Sequence, residues 1–323
     1  MKTIYTILVF YFISLTSIDY SQKINSTGEK KANPKWDLYL NTCKTYCTDA
    51  YYILSNVSRS EYWASFGPNS TNDTSRIIYN LETVVHEATH GFNLDIARKQ
   101  GLLQGYFVNP QKMIAVEKTE VYNSHKLDKV IPDSLQKKIQ RYNTYVGKRE
   151  YNLASQTDGI YGLLDEFSAY YQGSLVLFNL KPWYEATYGY SSPNPWTEKY
   201  LPQIGGNVAA FYEFRILMAW YLEYSKAKYP EQYKKIMANT GLREAFTLLY
   251  DQFEKLANDY ESEVTQTALI LNEKGFKVLV DKKYITIYLK NSSTGQGHYL
   301  DEFSKLNTIF TPQLAAVLKE FRI

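Results

Sequence analysis

Between Ser75 and Lys99, apolar side chains recur at three- and four-residue intervals: Ile77, Ile78, Leu81, Val84, Val85, Ala88 and Phe92. That spacing predicts a buried amphipathic helix, closed by Gly101. The same stretch carries His86-Glu87-Ala88-Thr89-His90. A helix that buries its face ordinarily excludes two histidines and a glutamate, so their presence needs a chemical reason. Residues four apart on a helix sit almost above one another. His86 and His90 can therefore offer two imidazole nitrogens to one cation. Glu87 lies beside that face, placed to take a proton from water rather than to ligate. The pattern predicts one Zn2+ per chain, with Glu87 as the catalytic base.

Two imidazoles leave a catalytic zinc short of one protein ligand. Downstream, Leu163, Leu164, Phe167 and Tyr171 mark the buried side of a second helix, and Glu166 falls among them. Asp158, just before Gly159, is an alternative ligand, although an aspartate there also suits a helix N-cap. Glu117 and Glu120 are further acidic candidates on an expected strand.

On the helix bearing His86-Glu87-Ala88-Thr89-His90 the chain resembles the zincin metallopeptidases. The metzincin branch needs a glycine where Asn93 stands and a third histidine where Ile96 stands, so that branch is excluded. Resemblance to the gluzincin branch, which takes a glutamate from a second packed helix, implies Glu166 as third ligand. Thermolysin-like members carry an acidic residue four positions after that glutamate to orient a histidine. Tyr170 occupies the position here, which leaves Asp165 or Glu82 to do the orienting. Asp158-Gly159-Ile160-Tyr161-Gly162 resembles the tail of the aspzincin signature, which implies Asp158 as ligand and Tyr161 near the metal. Ser155 and Gln156 depart from that signature.

The resemblance implies a zinc-dependent metallopeptidase acting on a peptide or protein. Tyr161, Tyr170 and His298 are the expected donors to the oxygen that gains charge, with His125 less well placed. A zinc hydrolase of a non-peptide amide such as cell-wall material, and a zincin-like protein that binds without cutting, are the alternatives. Retention of Glu87 argues against the second, because a structural site has no use for a base.

Lys2 precedes the apolar run Ile4 to Ile13, which fades through Ser14, Thr16 and Ser17. This layout predicts a signal peptide over residues 1–21, and hence a secreted or periplasmic protein. The alternative is an uncleaved segment that tethers the chain to a membrane. The run is shorter than the roughly 18 to 20 residues a spanning helix needs, and no other stretch could span. A formal charge of +3 over 323 residues, without a dense basic block, excludes a polyanionic partner, so no nucleic acid is expected. The only cysteines, Cys43 and Cys47, sit four apart on an expected helix over 36–56 and are read as buried thiols.

Residues 22–35 are expected to form a flexible lead-in to a domain over 36–323, with lobes at about 36–155 and 156–323. Further helices are expected over 160–178, 208–227, 230–238 and 241–260, with one from Asp133 through Tyr145. Segment 181–206, rich in proline and glycine with Trp183, Tyr184 and Trp196 among them, reads as a long loop. Residues 276–280 and 284–289 read as a β-hairpin. The expected fold class is α+β and mostly helical: a zincin-like pair of active-site helices beside a small sheet, with a helical C-terminal lobe walling a cleft.

Overall fold

The computed structural model describes residues 33–68, 73–147, 153–280, 284–288, 295–299 and 301–323. The expected signal peptide and most of the lead-in lie outside the described residues. Helices dominate, and two small antiparallel sheets accompany them.

The chain opens with α1 (Pro34–Tyr46), α2 (Thr48–Asn56) and α3 (Ser60–Ala64). The single helix expected over 36–56 is broken at Cys47, whose backbone is extended. Both cysteines are free and buried, as the sequence suggested. Next come α4 (Thr74–Tyr79) and α5 (Leu81–Lys99), separated by Asn80. Gly101, at φ +67, takes the left-handed conformation that ends α5 cheaply. A hairpin of β1 (Gln104–Asn109) and β2 (Lys112–Val116) then folds back onto α5.

The stretch from Asp133 is not one helix. It divides into α6 (Asp133–Gln136) and α7 (Tyr142–Tyr145), with a 3-10 segment over Ser124–Lys129 before them. After α8 (Ala154–Thr157) comes α9 (Gly159–Asn179), the central helix, packed against α5. Its first residue, Gly159, has φ +54, and a side chain there would strike the Tyr221 hydroxyl.

Segment 181–206 is not a loop. It forms α10 (Lys181–Tyr188), a π-helical turn (Pro195–Tyr200) and the first turns of α11 (Leu201–Lys228). Pro202 is accommodated in the first turn of α11, where a missing N–H costs nothing. Tyr190 stacks on Trp196 at 4.5 Å and 2°, and Trp196 donates to the Gly189 carbonyl, so the aromatic residues fold the segment onto itself. The π-helical turn runs straight into α11, which packs on α9.

The chain ends with α12 (Pro230–Ala238), α13 (Thr240–Glu273), β3 (Val278–Val280), β4 (Tyr284–Tyr288), β5 (Gly295–Tyr299), α14 (Asp301–Ile309) and α15 (Pro312–Phe321). The expected hairpin gains a third strand, in sheet order β3-β4-β5. Buried apolar residues form one continuous cluster from Trp36 to Phe321, so α5 and α9 meet inside a core that draws on nearly the whole described chain. No described helix is long and apolar enough to cross a membrane.

Candidate metal centre

His86 lies level with Tyr170 where α5 meets α9, and the two rings meet edge-on at 4.5 Å and 70°. One turn on, His90 turns its second ring nitrogen towards the same point. The Nε2 atoms of His86 and His90 are 3.2 Å apart. Glu166 Oε2 lies 3.6 Å from the first and 3.5 Å from the second. These three form the one group among the described residues that could hold a metal ion.

The triangle tests whether zinc fits. A tetrahedral zinc with bonds of about 2.0 to 2.1 Å separates its ligand atoms by about 3.3 Å. The observed sides of 3.2, 3.5 and 3.6 Å agree with that spacing. Without a metal cation, a proton on His90 Nε2 takes its place among these acceptors. Nitrogen and carboxylate donors in this number are also the donors zinc prefers. The residues fit the ion.

Two of the three converging atoms are aimed by a hydrogen-bonded neighbour. His90 Nδ1 donates to Asp165 Oδ2 at 2.6 Å, which turns its Nε2 towards the triangle. Asp165 is held in turn: its Oδ1 accepts from Asn93 Nδ2 at 2.8 Å and from Gln104 Nε2 at 3.4 Å. The Asn93 side-chain oxygen accepts the Phe107 backbone N–H at 2.7 Å, which ties the series to β1. Asp165 rather than Glu82 therefore fills the orienting role that Tyr170 cannot. Tyr145 does the same for the carboxylate, donating to Glu166 Oε2 at 3.0 Å.

Electrostatics follow this arrangement. Burial pushes His86 well below the usual histidine range, and the positive charges of His90 and Arg141 push the same way. Burial would also pull His90 down, but Asp165 and Glu166 outweigh it and hold the ring well above that range. The carboxylates that favour a proton on His90 would equally favour a metal cation at its Nε2. Burial pushes the Glu87 carboxyl up to about 7; His90 opposes this, while Glu166 and Glu82 add to it. A cation bound nearby would draw it down again.

The remaining candidates separate cleanly. Asp158 is not at the triangle: its Oδ2 accepts from Lys118 Nζ at 2.6 Å, at the start of α9. It is the residue before the helix, yet its side chain makes no capping bond. Glu120 pairs with Lys235 at 3.7 Å and is likewise elsewhere. The Tyr161 hydroxyl accepts from the Thr119 backbone N–H at 3.0 Å and from the Asn239 amide at 3.1 Å, and the side chain is fully buried, which keeps it from a substrate. His298 lies on β5, paired with Ile285, and not in a mobile loop; its side chain is outside the described residues. His125 lies in the 3-10 segment. Tyr170, by contrast, lies against the His86 ring.

Two residues at the centre escape sequence reading. Tyr145 looks like one more core tyrosine, and Arg141 like an ordinary surface cation. Both lie more than 20 residues before Glu166, and the helical spacing of Leu135, Ile139, Tyr142 and Tyr145 marks core packing rather than a site.

The chain matches no protein-family model, and comparison with curated proteins and with solved structures finds no significant match to either.

Proposed function

We propose that the chain is a secreted zinc-dependent hydrolase of the metallopeptidase type, with His86, His90 and Glu166 holding the ion and Glu87 moving the proton. One observation carries this reading: two imidazole nitrogens and a carboxylate oxygen converge at 3.2 to 3.6 Å, close enough to Glu87 for the charges of His90 and Glu166 to act on its carboxyl. A bound zinc ion supplies Lewis acidity, polarising a carbonyl oxygen and lowering the pKa of a water molecule.

The chain's own residues do the rest. Glu87, its raised carboxyl drawn back down and kept ionised beside a bound cation, accepts the proton of the attacking water and hands it to the departing amine nitrogen. Asp165 keeps the His90 proton on Nδ1 and leaves Nε2 free to ligate. Tyr145 fixes the Glu166 oxygen. Tyr170, against His86 and half-buried, is the candidate donor to the carbonyl oxygen as it gains charge. A peptide or protein is the proposed substrate, on the strength of the resemblance. Secretion rests on the N-terminal sequence.

Digestion of a peptide library by the wild-type chain and by Glu87→Gln tests the reading. Removing a general base costs about 10²- to 10⁴-fold in rate, so the variant should bind zinc normally and cleave at least a hundredfold more slowly. Equal cleavage by both forms would refute the role of Glu87.

A further inference from the structure

A buried ion pair beside the metal centre has no part in the chemistry above. Arg141 Nη1 donates to Glu213 Oε2 at 2.8 Å, and Arg141 Nη2 donates to the Gly206 carbonyl at 2.7 Å. Glu213 is 1% exposed and comes from α11. Its other oxygen, Oε1, accepts the backbone N–H of Gln140 at 2.6 Å. Both oxygens of one carboxylate thus grip residues 140 and 141, the lead into α7.

What that grip holds is the site. The Arg141 guanidinium carbon lies 4.4 Å from the centre of the Tyr170 ring, and that ring meets the His86 imidazole at 4.5 Å. Four residues after Arg141, the Tyr145 hydroxyl donates to Glu166 Oε2 and lies 3.3 Å from the Tyr170 hydroxyl. One short segment therefore braces two of the three ligating side chains, His86 through Tyr170 and Glu166 through Tyr145. A buried ion pair adds little net stability, because removing two charges from water costs about what their attraction returns. Its geometric effect is larger: a planar fork with two hydrogen bonds fixes position and orientation together.

We infer that Arg141, clamped by Glu213 and Gly206, is a positioning residue that sets the Tyr170–His86 and Tyr145–Glu166 contacts of the metal centre. The inference rests on the zinc-site reading. Its test needs no substrate: zinc affinity by competition with a chromogenic chelator, and the visible absorption bands of the Co2+-loaded chain, which report ligand geometry.

Two variants are compared with wild type. Arg141→Lys keeps the cation but cannot lie flat on Tyr170 while bonding both Glu213 and Gly206. The double variant Arg141→Met/Glu213→Leu replaces the pair with apolar side chains of similar volume. The positioning role predicts that Arg141→Lys and the double variant each bind zinc at least about tenfold more weakly, with altered Co2+ bands. Should the double variant fail to fold, Arg141→Lys decides alone. Wild-type affinity and bands in Arg141→Lys would overturn the inference. A wild-type chain that binds neither ion would instead overturn the zinc-site reading beneath it.

Discussion

Asp165 decides how the centre responds to protons. Ligation needs an unprotonated Nε2 on both histidines, so zinc and protons compete. Asp165 and Glu166 hold His90 above histidine's ordinary 6.5. Zinc affinity should therefore fall as pH drops, and the fall should begin above 6.5. In Asp165→Asn the negative charge that raises His90 is gone, so the pH at which protons compete moves down. The same change removes the orienting acceptor, so affinity at high pH should drop about 10- to 100-fold. Zinc titrations across pH for both forms check the two effects separately. An unchanged affinity at high pH would mean that the 2.6 Å contact does not orient His90.

At the scale of elements, the centre depends on how closely β1 approaches α5. Gly105 lies against the backbone of α5, where a Cβ would run into the Asn93 carbonyl and meet Ala97 N and Ile96 Cβ at 2.9 Å. Gly105→Ala should force the strand away and cost about 1 to 3 kcal/mol. Because Gln104 and Phe107 on that strand hold Asp165 and Asn93, zinc affinity should fall as well. Gly206 gives the contrast: nothing lies within 4 Å of its would-be Cβ. Alanine there should leave the Arg141 contact with its carbonyl intact and stabilise α11 by about 0.5 to 1 kcal/mol. Denaturant unfolding of both variants distinguishes the two cases, and equal effects would contradict this account of the β1–α5 contact.

The same scale shows what the sequence made legible. Helices α5 and α9 carry their burial pattern in plain periodicity; the histidines stand out by their four-residue spacing, and Glu166 by the resemblance to the gluzincin branch. Segment 181–206 misleads because Pro202, Gly205 and Gly206 look like loop residues. Pro202 falls in a first helical turn, and a side chain at Gly205 would collide with the Tyr260 hydroxyl, a tertiary reason that no local pattern records. The breaks at Cys47 and Asn80 were hidden likewise, since apolar spacing continues across each. Arg141 and Tyr145 matter through partners 21 to 72 residues away in the chain, a separation that periodicity cannot span.

For the whole molecule, α9 is the hinge of the argument. It packs against α5 on one side and α11 on another, so one helix delivers Asp165, Glu166 and Tyr170 to a centre braced from both. The surrounding core is continuous from Trp36 to Phe321, which gives the three converging atoms a rigid setting. The central claim is that this setting exists to hold one divalent ion. Metal analysis of the purified chain beside Glu166→Ala tests it most directly. The account predicts one zinc per wild-type chain and a large loss of bound zinc in the variant. A wild-type chain free of zinc after purification in its presence, or a variant that retains the full complement, would contradict it.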